Sequence, residues 1–242
     1  MGNNDYIYGK NSCRATLMNN SEIKSAILST SFSDKEILSL ISKRKINVKR
    51  ISPSQMDSMF KGAVTQGIAL QIAPYKYVEL DKVINKCSSK KDATVVLLDG
   101  LEDPQNFGAI LRSCDAFGVD AVIIPSSRSV TVTPTVVKVS TGAIEFVPVC
   151  MVTNLNQTID ILKKNGFWVV ASDGSASLDY DKVDYDMKVA LVVGSEGKGI
   201  SSLVLKNADF VTKIPMVGHV NSLNASVATG IYLAMIQNKR KN

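Results

Sequence analysis

The sequence predicts an α/β protein with two domains, the second built on a mostly parallel β-sheet. At 242 residues, the chain is longer than a typical single domain of roughly 100 to 200 residues. From residue 94 onward, near-continuous apolar segments alternate with helical patterns, which is typical of a parallel sheet covered on both faces. A polar stretch precedes this region. We therefore predict a first domain at residues 1–75, a linker at 76–92 and a second domain at 93–242.

The first domain is predicted to alternate helices with strands. Gly67 and Pro74 bound its last strand, because both residue types commonly end regular elements. The hydrophobic patterns predict, in order, a helix from Asp5 to about Asn19, a strand at 22–28, a helix at 34–44, a strand at 46–51, a short helix at Ser54–Phe60 and a strand at 67–73.

The second domain is predicted to bind its ligand at one edge of its sheet. Its successive strand and helix segments are TVVLLDG, GAILRSCDAFG, AVIIP, PTVVKVSTG, FVPVC, LNQTIDILKKNG, FWVVASDG, KVALVVG, SSLVLKN and FVTKIPM. Ligands of parallel sheets lie beyond the carboxyl ends of the strands. We therefore expect the chemistry in the loops that follow TVVLL, KVALVV and FVTKI.

Composition excludes several classes of protein. Apolar residues at 45% and charged residues at 21% match an ordinary globular protein. Four widely spaced cysteines and a single histidine indicate neither a zinc site nor a disulfide framework, so no metal is expected. Without a signal-peptide or membrane-spanning apolar run, we expect a cytoplasmic protein with no membrane partner.

The net charge favours a polyanionic partner such as RNA. The chain carries +6 at neutral pH, and each phosphate neutralised by a lysine or arginine releases counterions. For any one cluster, solvated surface charge is an equally good interpretation. The basic clusters are Lys43, Arg44, Lys45, Lys49 and Arg50; Lys90 and Lys91; and Lys239, Arg240 and Lys241.

The first segment with candidate chemistry is LDGLEDPQNFGAILRSCDAFG, residues 98–118. It combines a strand end, a turn through Asp103 and Pro104, and a helix predicted to begin near Gly108. Asn106 and Arg112 near a helix start predict an anion-binding corner, because free backbone N–H groups add to the guanidinium fork. The alternatives are that Asn106 is only a helix cap and Arg112 only a surface residue.

The second segment, VALVVGSEGKGIS, runs from an apolar strand into Gly194, Gly197 and Gly199. Glycines there permit positive φ and close approach of the backbone to a ligand. The spacing matches neither the dinucleotide fingerprint nor the P-loop, which disfavours both of those nucleotide sites. Glu196 would repel a phosphate but could accept hydrogen bonds from hydroxyls or amines.

The third segment, KIPMVGHVNSLNASVATGIYLAMIQ, contains a strand, an irregular loop and a long apolar helix predicted to start between Asn221 and Asn224. The loop offers amides and hydroxyls as hydrogen-bonding groups. His219 is the only histidine of the chain, and we interpret it as a surface residue.

Together the three segments resemble the SpoU/TrmH family of the SPOUT superfamily of RNA ribose 2′-O-methyltransferases. The motifs that carry this resemblance are DPQNFGAILRS, GSEGKGIS and IPMVGHVNSLNASVA, in that order. Upstream, YGKNSCRATL and KGAVTQGIAL resemble the N-terminal RNA-binding domain of RlmB-type enzymes, which act on a guanosine of large-subunit ribosomal RNA. The resemblance covers nearly the whole chain.

The resemblance implies an L30e-like N-terminal domain and a catalytic domain whose C-terminal segment forms a trefoil knot. It implies that S-adenosylmethionine binds against this knot, held largely by backbone groups. A side chain at Gly194 or Gly197 would then collide with the cofactor. The cofactor-binding positions implied are Gly194, Gly197, Ile214, Met216 and Leu223.

The resemblance also implies a homodimer with its active site at the subunit interface. The catalytic positions that it implies are Asn106, Arg112, Glu196, Ser222 and Asn224. The family's proposed base matches Arg112, but a guanidinium rarely gives up its proton, so base and clamp both remain open. Ser195 and Ala225 depart from the usual family motifs, which puts fine positioning in doubt rather than activity.

We predict 2′-O-methylation of a ribose in large-subunit ribosomal RNA, and three alternatives remain. One is the same chemistry on transfer RNA, whose enzymes in this family commonly lack an N-terminal domain of this form. Another is a non-catalytic ribosome-assembly factor that binds RNA. The third, a small-molecule enzyme with a nucleotide cofactor, is disfavoured by the absent dinucleotide fingerprint.

Overall fold

A computed structural model describes residues 6–18 and 22–241 of the chain. The described chain divides into two compact units. One unit contains the residues up to Lys76 together with Thr133–Lys138, and the other contains the remainder.

The first unit contains a four-stranded sheet with strand order β1-β4-β2-β3. Strands β2 and β3 are parallel, whereas β4 runs antiparallel to both β1 and β2. Its elements are β1 (Tyr6–Tyr8), α1 (Lys10–Met18), β2 (Ile23–Ser29), α2 (Lys35–Lys43), β3 (Val48–Ile51), α3 (Pro53–Met59) and β4 (Ile68–Ile72).

Local side-chain chemistry fixes the helix starts in this unit. The Asp34 carboxylate accepts a hydrogen bond from the Ile37 backbone N–H and so caps α2. At α3, Ser52 and Gln55 form a capping box, and Pro53 between them occupies the first helical position, to which proline is suited. These elements confirm the predicted helices and strands from residue 22 to residue 73.

The predicted helix from Asp5 to Asn19 is wrong at its beginning, because Tyr6–Tyr8 form a strand. They pair with Ala69–Gln71 of β4, and Gly9, at a φ of 86°, turns the chain into α1. A three-residue strand carries no readable periodicity of its own. The predicted helix ends, Asp5 and Asn19, lie outside the described residues.

The rest of the chain forms the second sheet and its helices, except that α6 (Pro134–Val139) lies almost entirely in the segment assigned to the first unit. Two 3-10 turns, Ala143–Glu145 and Tyr180–Lys182, accompany them. The elements are α4 (Leu80–Cys87), β5 (Thr94–Asp99), α5 (Pro104–Ala116), β6 (Ala121–Pro125), α6 (Pro134–Val139), β7 (Val149–Val152), α7 (Leu155–Lys164), β8 (Phe167–Ser172), β9 (Leu178–Asp179), β10 (Lys188–Gly194), α8 (Ser202–Asn207), β11 (Phe210–Lys213) and α9 (Ala225–Lys241).

The second sheet has the order β7-β6-β5-β10-β8-β11-β9, and all of its strand pairs are parallel. The predicted mostly parallel sheet is therefore confirmed. Its central strands are buried along almost their whole length, as expected for a sheet covered on both faces. Residues of α4, α7 and α8 join the apolar core on one face. Helices α5 and α9 pack against each other and against β6 and β10.

The segment predicted as a linker, residues 76–92, contains helix α4. Val83 and Cys87, four positions apart on one helical face, are buried in the core of the second sheet. After the helix, the Lys90 ammonium donates to the buried carboxylate of Asp120 at 2.5 Å. The same carboxylate accepts from the Thr94 N–H at 3.1 Å and so ties this segment to β5.

The parallel topology brings the carboxyl ends of four neighbouring strands to one edge of the sheet. The register pairs Asp99 of β5 with Gly194 of β10, and Ser172 of β8 with both Val193 and Thr212. The loops that follow β5, β10, β8 and β11 therefore begin side by side, at the edge where sites of parallel sheets form.

Candidate active site

A tight turn follows β10 at the centre of this edge. The Ser195 N–H donates to the Gly199 carbonyl at 3.2 Å, and the Gly199 N–H donates to the Ser195 carbonyl at 2.9 Å. Gly197 and Gly199 have φ values of 86° and 65°, which side-chain-bearing residues rarely adopt. The turn therefore holds Glu196 on a short backbone segment of fixed conformation.

Gly194 allows this turn to fold back onto the strand. A Cβ atom at Gly194 would lie 2.2 Å from the Gly199 carbonyl carbon and 2.5 Å from the Ile200 nitrogen, both backbone atoms. The family resemblance explains Gly194 and Gly197 by contact with a cofactor. Within the chain itself, Gly194 is required by the neighbouring backbone and Gly197 by its left-handed conformation.

Three of the predicted catalytic side chains meet in one hydrogen-bonded cluster. Glu196 Oε1 accepts from Asn106 Nδ2 at 3.0 Å and from Asn224 Nδ2 at 2.5 Å. Asn224 Nδ2 also donates to Asn106 Oδ1 at 2.8 Å, joining residues 118 positions apart in the sequence. The fold therefore assembles the predicted residues Asn106, Glu196 and Asn224.

Asn106 belongs to the first turn of α5, which begins at Pro104 and not near the predicted Gly108. The cap is Asp103, whose carboxylate accepts from the Gln105 N–H at 2.9 Å. The alternative of Asn106 as a helix cap is therefore wrong. Asn106 is only 8% exposed, and its side-chain amide bonds to Glu196 and Asn224 instead of capping the helix. Gly108 instead permits close packing, since a Cβ there would lie 2.6 Å from Val139 Cβ.

Asn224 caps α9 while taking part in the cluster. Its Oδ1 accepts from the backbone N–H groups of Ser226 at 2.9 Å and Val227 at 3.4 Å. The Ala225 N–H points to Glu196 Oε1 at 3.4 Å. The Glu196 carboxylate thus lies at a helix N-terminus, where the helix dipole stabilises negative charge.

A cavity of about 430 Å³ opens beside this cluster. All five residues predicted to bind a cofactor line it, and so do the predicted catalytic residues Glu196 and Ser222. The complete lining is Ser172, Asp173, Gly174, Val193, Gly194, Ser195, Glu196, Gly197, Lys198, Gly199, Lys213, Ile214, Met216, Asn221, Ser222, Leu223, Ala225 and Ala228.

A second cavity of about 210 Å³ shares Ser195, Glu196 and Lys198 with the first. Asn106 lines this second cavity and not the larger one. The Glu196 turn is therefore the common wall of two concave spaces. This is the arrangement needed to bring two ligands together.

Two of the predicted catalytic residues, Arg112 and Ser222, lie outside the cluster; Ser222 lines the larger cavity, whereas Arg112 does not. The Arg112 side chain is exposed on α5, lines neither of these two cavities, and forms no hydrogen bond or ion pair with any described residue. It lies six positions after Asn106, which corresponds to about 9 Å along a helix axis. Within one chain, Arg112 and the cluster are separate.

Sequence reasoning missed three charged residues of the larger cavity, Asp173, Lys198 and Lys213. Lys198 lies in the turn after β10, whereas Asp173 directly follows β8 and Lys213 ends β11. The rule that ligands lie beyond strand carboxyl ends would have found Asp173 and Lys213, had it been applied to FWVVAS as well. His219, interpreted as a surface residue, is exposed and lines neither cavity.

Within residues 6–18 and 22–241, no three histidine, cysteine, aspartate or glutamate side chains lie where they could hold a metal ion together. In the same part of the chain, no helix combines the length and the apolar character that crossing a membrane requires.

Comparison with protein families matches residues 93–234 to the model of the SpoU rRNA Methylase family. The chain belongs to the SpoU rRNA methylase family. Residues 6–78 match a second model, RNA 2′-O ribose methyltransferase substrate binding. The predicted SpoU/TrmH membership is confirmed, whereas the finer RlmB-type assignment stays a prediction.

Relatives of this SpoU methylase include a Staphylococcus aureus protein assigned to the TrmH family of tRNA/rRNA methyltransferases. It is 52% identical over 206 residues, which cover 85% of this chain and 83% of the relative. A Staphylococcus epidermidis protein with the same assignment is 50% identical over 206 residues, or 85% of this chain and 82% of its own.

Three solved structures share the fold, two of them across nearly the whole chain. The SpoU methyltransferase AviRb of Streptomyces viridochromogenes, in complex with AdoMet, has a TM-score of 0.79 at 20% identity, covering 98% of this chain and 90% of its own. An AdoMet-bound rRNA methyltransferase of Sinorhizobium meliloti has a TM-score of 0.73 at 23% identity, covering 96% and 86%. The A. aeolicus TrmH/SpoU tRNA modifying enzyme has a TM-score of 0.57 at 31% identity, covering 67% and 84%.

Proposed function

We propose that this SpoU methylase transfers a methyl group from S-adenosylmethionine to a ribose 2′-hydroxyl of large-subunit ribosomal RNA. Residues 1–75 would bind the RNA and residues 93–242 would catalyse the transfer. The observation that carries the proposal is the Glu196 turn, which forms a wall of both cavities and anchors the cluster of Asn106 and Asn224.

The larger cavity fits the cofactor. Its volume of about 430 Å³ lies within the range of small-molecule sites, roughly 300 to 1,000 Å³. Ile214, Met216 and Leu223 offer apolar walls, and the turn from Gly194 to Gly199 offers backbone polar groups. S-adenosylmethionine would supply an electrophilic methyl group on a sulfonium sulfur. AviRb and the S. meliloti enzyme, which share this fold, were solved with AdoMet.

The Glu196 cluster would hold the acceptor ribose. One carboxylate oxygen is committed to Asn106, Asn224 and the α9 N-terminus, while Oε2 forms no hydrogen bond with any described residue. Oε2 is therefore available to accept a hydrogen bond from a ribose hydroxyl. Because its partners fix the carboxylate in advance, the hydroxyl oxygen would be aligned with the methyl group at little entropic cost.

We propose that Arg112 reaches the site from a second copy of the chain in a homodimer. Its exposure and its lack of partners among the described residues support this role. A guanidinium is suited to clamp an RNA phosphate or to stabilise the developing alkoxide, because it keeps its charge. We assign the trefoil knot implied by the family resemblance to the C-terminal segment; the sheet order, in which β8 lies between the later strands β10 and β11, supports it.

Ribosomal RNA is favoured over transfer RNA by the extent of the structural matches. The S. meliloti rRNA methyltransferase covers 96% of this chain, whereas the A. aeolicus tRNA modifying enzyme covers 67%. Residues 6–78 also match a substrate-binding model. A non-catalytic RNA-binding role is disfavoured, because such a role would not require the Asn106, Glu196 and Asn224 cluster.

The test is methyl transfer from radiolabelled S-adenosylmethionine. We expect label in unmodified large-subunit ribosomal RNA, at one alkali-resistant linkage, and none in transfer RNA. Arg112→Ala should lower turnover by at least about a hundredfold, whereas Lys164→Ala, an exposed control on α7, should not. Label in transfer RNA alone would refute the proposed target, and full turnover of Arg112→Ala would refute its role.

Mixing two inactive variants tests the homodimer. Arg112→Ala and Asn224→Ala would each be inactive alone. If each site combines Arg112 of one copy with Asn224 of the other, a mixed dimer contains one intact site and one site with both defects. We therefore expect activity to reappear on mixing and re-equilibrating the two variants. Its absence, while both variants remain dimeric, would exclude a shared site.

A further inference from the structure

The larger cavity is lined by two oppositely charged side chains that have no role in the proposed mechanism. Four of its lining residues are charged. Glu196 belongs to the cluster with Asn106 and Asn224, and Lys198 lies on the exposed turn shared with the second cavity. The other two are Asp173 and Lys213.

Asp173 and Lys213 lie side by side at the ends of adjacent parallel strands. Thr212 of β11 pairs with Ser172 of β8, and the Asp173 N–H donates to the Thr212 carbonyl at 2.9 Å. Lys213 is therefore opposite Asp173 across one strand spacing, about 4.8 Å. Both residues are half-buried at the cavity wall.

The two side chains do not neutralise each other. No ion pair within 4.0 Å joins them, and the Lys213 ammonium group forms no hydrogen bond or ion pair with any described residue. Asp173 uses only Oδ1 locally, accepting from the Ser175 N–H at 2.8 Å and from its hydroxyl at 2.6 Å. Lys213 also lies opposite Asp179 in the register with β9, again without an ion pair. An ammonium group and a carboxylate oxygen therefore remain available together at one end of the cavity.

We propose that Asp173 and Lys213 bind the amino acid end of the methyl donor, with the Asp173 carboxylate on its ammonium group and Lys213 on its carboxylate. The assignment rests on the proposed use of S-adenosylmethionine. A zwitterion presents one positive and one negative group a few ångströms apart, and charge-assisted hydrogen bonds to both fix its orientation. The apolar walls of Ile214, Met216 and Leu223 are then left for the adenosine portion.

Contacts from Asp173 and Lys213 would let the site distinguish nucleosides that carry an amino acid group from those that lack one. A ligand with adenosine and a thioether but no amino acid would keep the apolar contacts and lose both charged contacts. The two charged residues should therefore discriminate S-adenosylhomocysteine from 5′-methylthioadenosine. Residues that merely shape the cavity would affect both ligands alike.

The test is calorimetric titration of the full-length protein with these two nucleosides. Asp173→Asn keeps an Oδ1 acceptor for Ser175, and Lys213→Gln keeps most of the side-chain length, so both variants should preserve the loop. Each should weaken S-adenosylhomocysteine binding at least about tenfold, equivalent to about 1.4 kcal/mol, while changing 5′-methylthioadenosine binding less than about twofold. The controls are Asp81→Asn and Lys164→Gln, exposed residues of the same unit that lie outside the cavity.

The outcomes separate this inference from the proposed function. If the unsubstituted protein binds S-adenosylhomocysteine and the two variants bind it equally well, Asp173 and Lys213 do not hold the amino acid end. An equal loss of both ligands would make them structural residues and overturn the inference in the same way. If the unsubstituted protein binds neither nucleoside, the proposed cofactor itself is refuted.

Discussion

Replacing Gly194 by alanine should displace the turn that carries Glu196. The added Cβ would lie 2.2 Å from the Gly199 carbonyl carbon, 2.4 Å from its oxygen and 2.5 Å from the Ile200 nitrogen. Carbon atoms pack at about 3.5 Å or more, so the turn must retreat by about 1.3 Å. All three neighbouring atoms belong to the backbone and cannot rotate away as a side chain would.

The cost can be estimated from comparable changes. Overpacking of this kind destabilises a protein by about 1–3 kcal/mol. A misplacement of about 1 Å in an active site lowers a rate by about a hundredfold. We therefore expect Gly194→Ala to lose about 1–3 kcal/mol of unfolding free energy, at least about tenfold in S-adenosylhomocysteine affinity, and about a hundredfold in methyl transfer.

Gly118→Ala is the matched control. Gly118 has a φ of 66°, no atom lies within 4 Å of its added Cβ, and it lines neither of the two cavities. This variant should lose about 1–2 kcal/mol through backbone strain and keep its ligand affinity. Urea unfolding and calorimetric titration measure both quantities. If Gly194→Ala binds S-adenosylhomocysteine as tightly as Gly118→Ala does, the turn adapts and the steric argument is wrong.

Two further predictions concern the cluster and a buried thiol. Asn106→Ala removes the amide that donates to Glu196 at 3.0 Å, so methyl transfer should fall about tenfold to a hundredfold, whereas the exposed neighbour Gln105→Ala should retain full activity. Burial raises the pKa of the Cys13 thiol from 9.0 to about 12. Between these values only the unfolded state ionises, so this thiol costs up to about 1.4 kcal/mol of stability per pH unit as pH rises. Urea unfolding at pH 8 and pH 10.5 should therefore show a smaller alkaline loss for Cys13→Ala than for the unsubstituted protein, and equal losses would contradict the assignment.

The sequence predicted those parts of the fold that have a local cause. Strands β5 and β10 are continuous apolar runs, and such runs indicate a doubly covered parallel sheet whatever their order. Strand β1 escaped prediction because its three residues form a strand only by pairing with β4, about sixty positions later. Helix α4 was different: Val83 and Cys87 show helical spacing, but the surrounding lysines, serines and aspartates made the segment resemble a connection.

The start of α5 shows the same difference between features with a local cause and features that depend on distant packing. Asp103 followed by Pro104 is a strong start signal, because a capping carboxylate precedes a residue suited to the first helical position. This signal was available, yet the predicted start near Gly108 followed the apolar pattern instead. Gly108 is there for another reason, its close packing with Val139, which no local pattern reveals.

The site could be predicted only where a family resemblance supplied what local physics cannot. Asn106 and Glu196 are 90 positions apart, and no periodicity or propensity connects them. The resemblance named both residues, but it gave a ligand as the reason for Gly194, where the chain's own backbone already forbids a side chain. Asp173 and Lys213 show the opposite case: the resemblance did not name them, whereas the strand-end rule applied to every strand would have done so. Physical reasoning is therefore most informative at positions that the family resemblance does not name but that the sheet topology places at the same edge as the site.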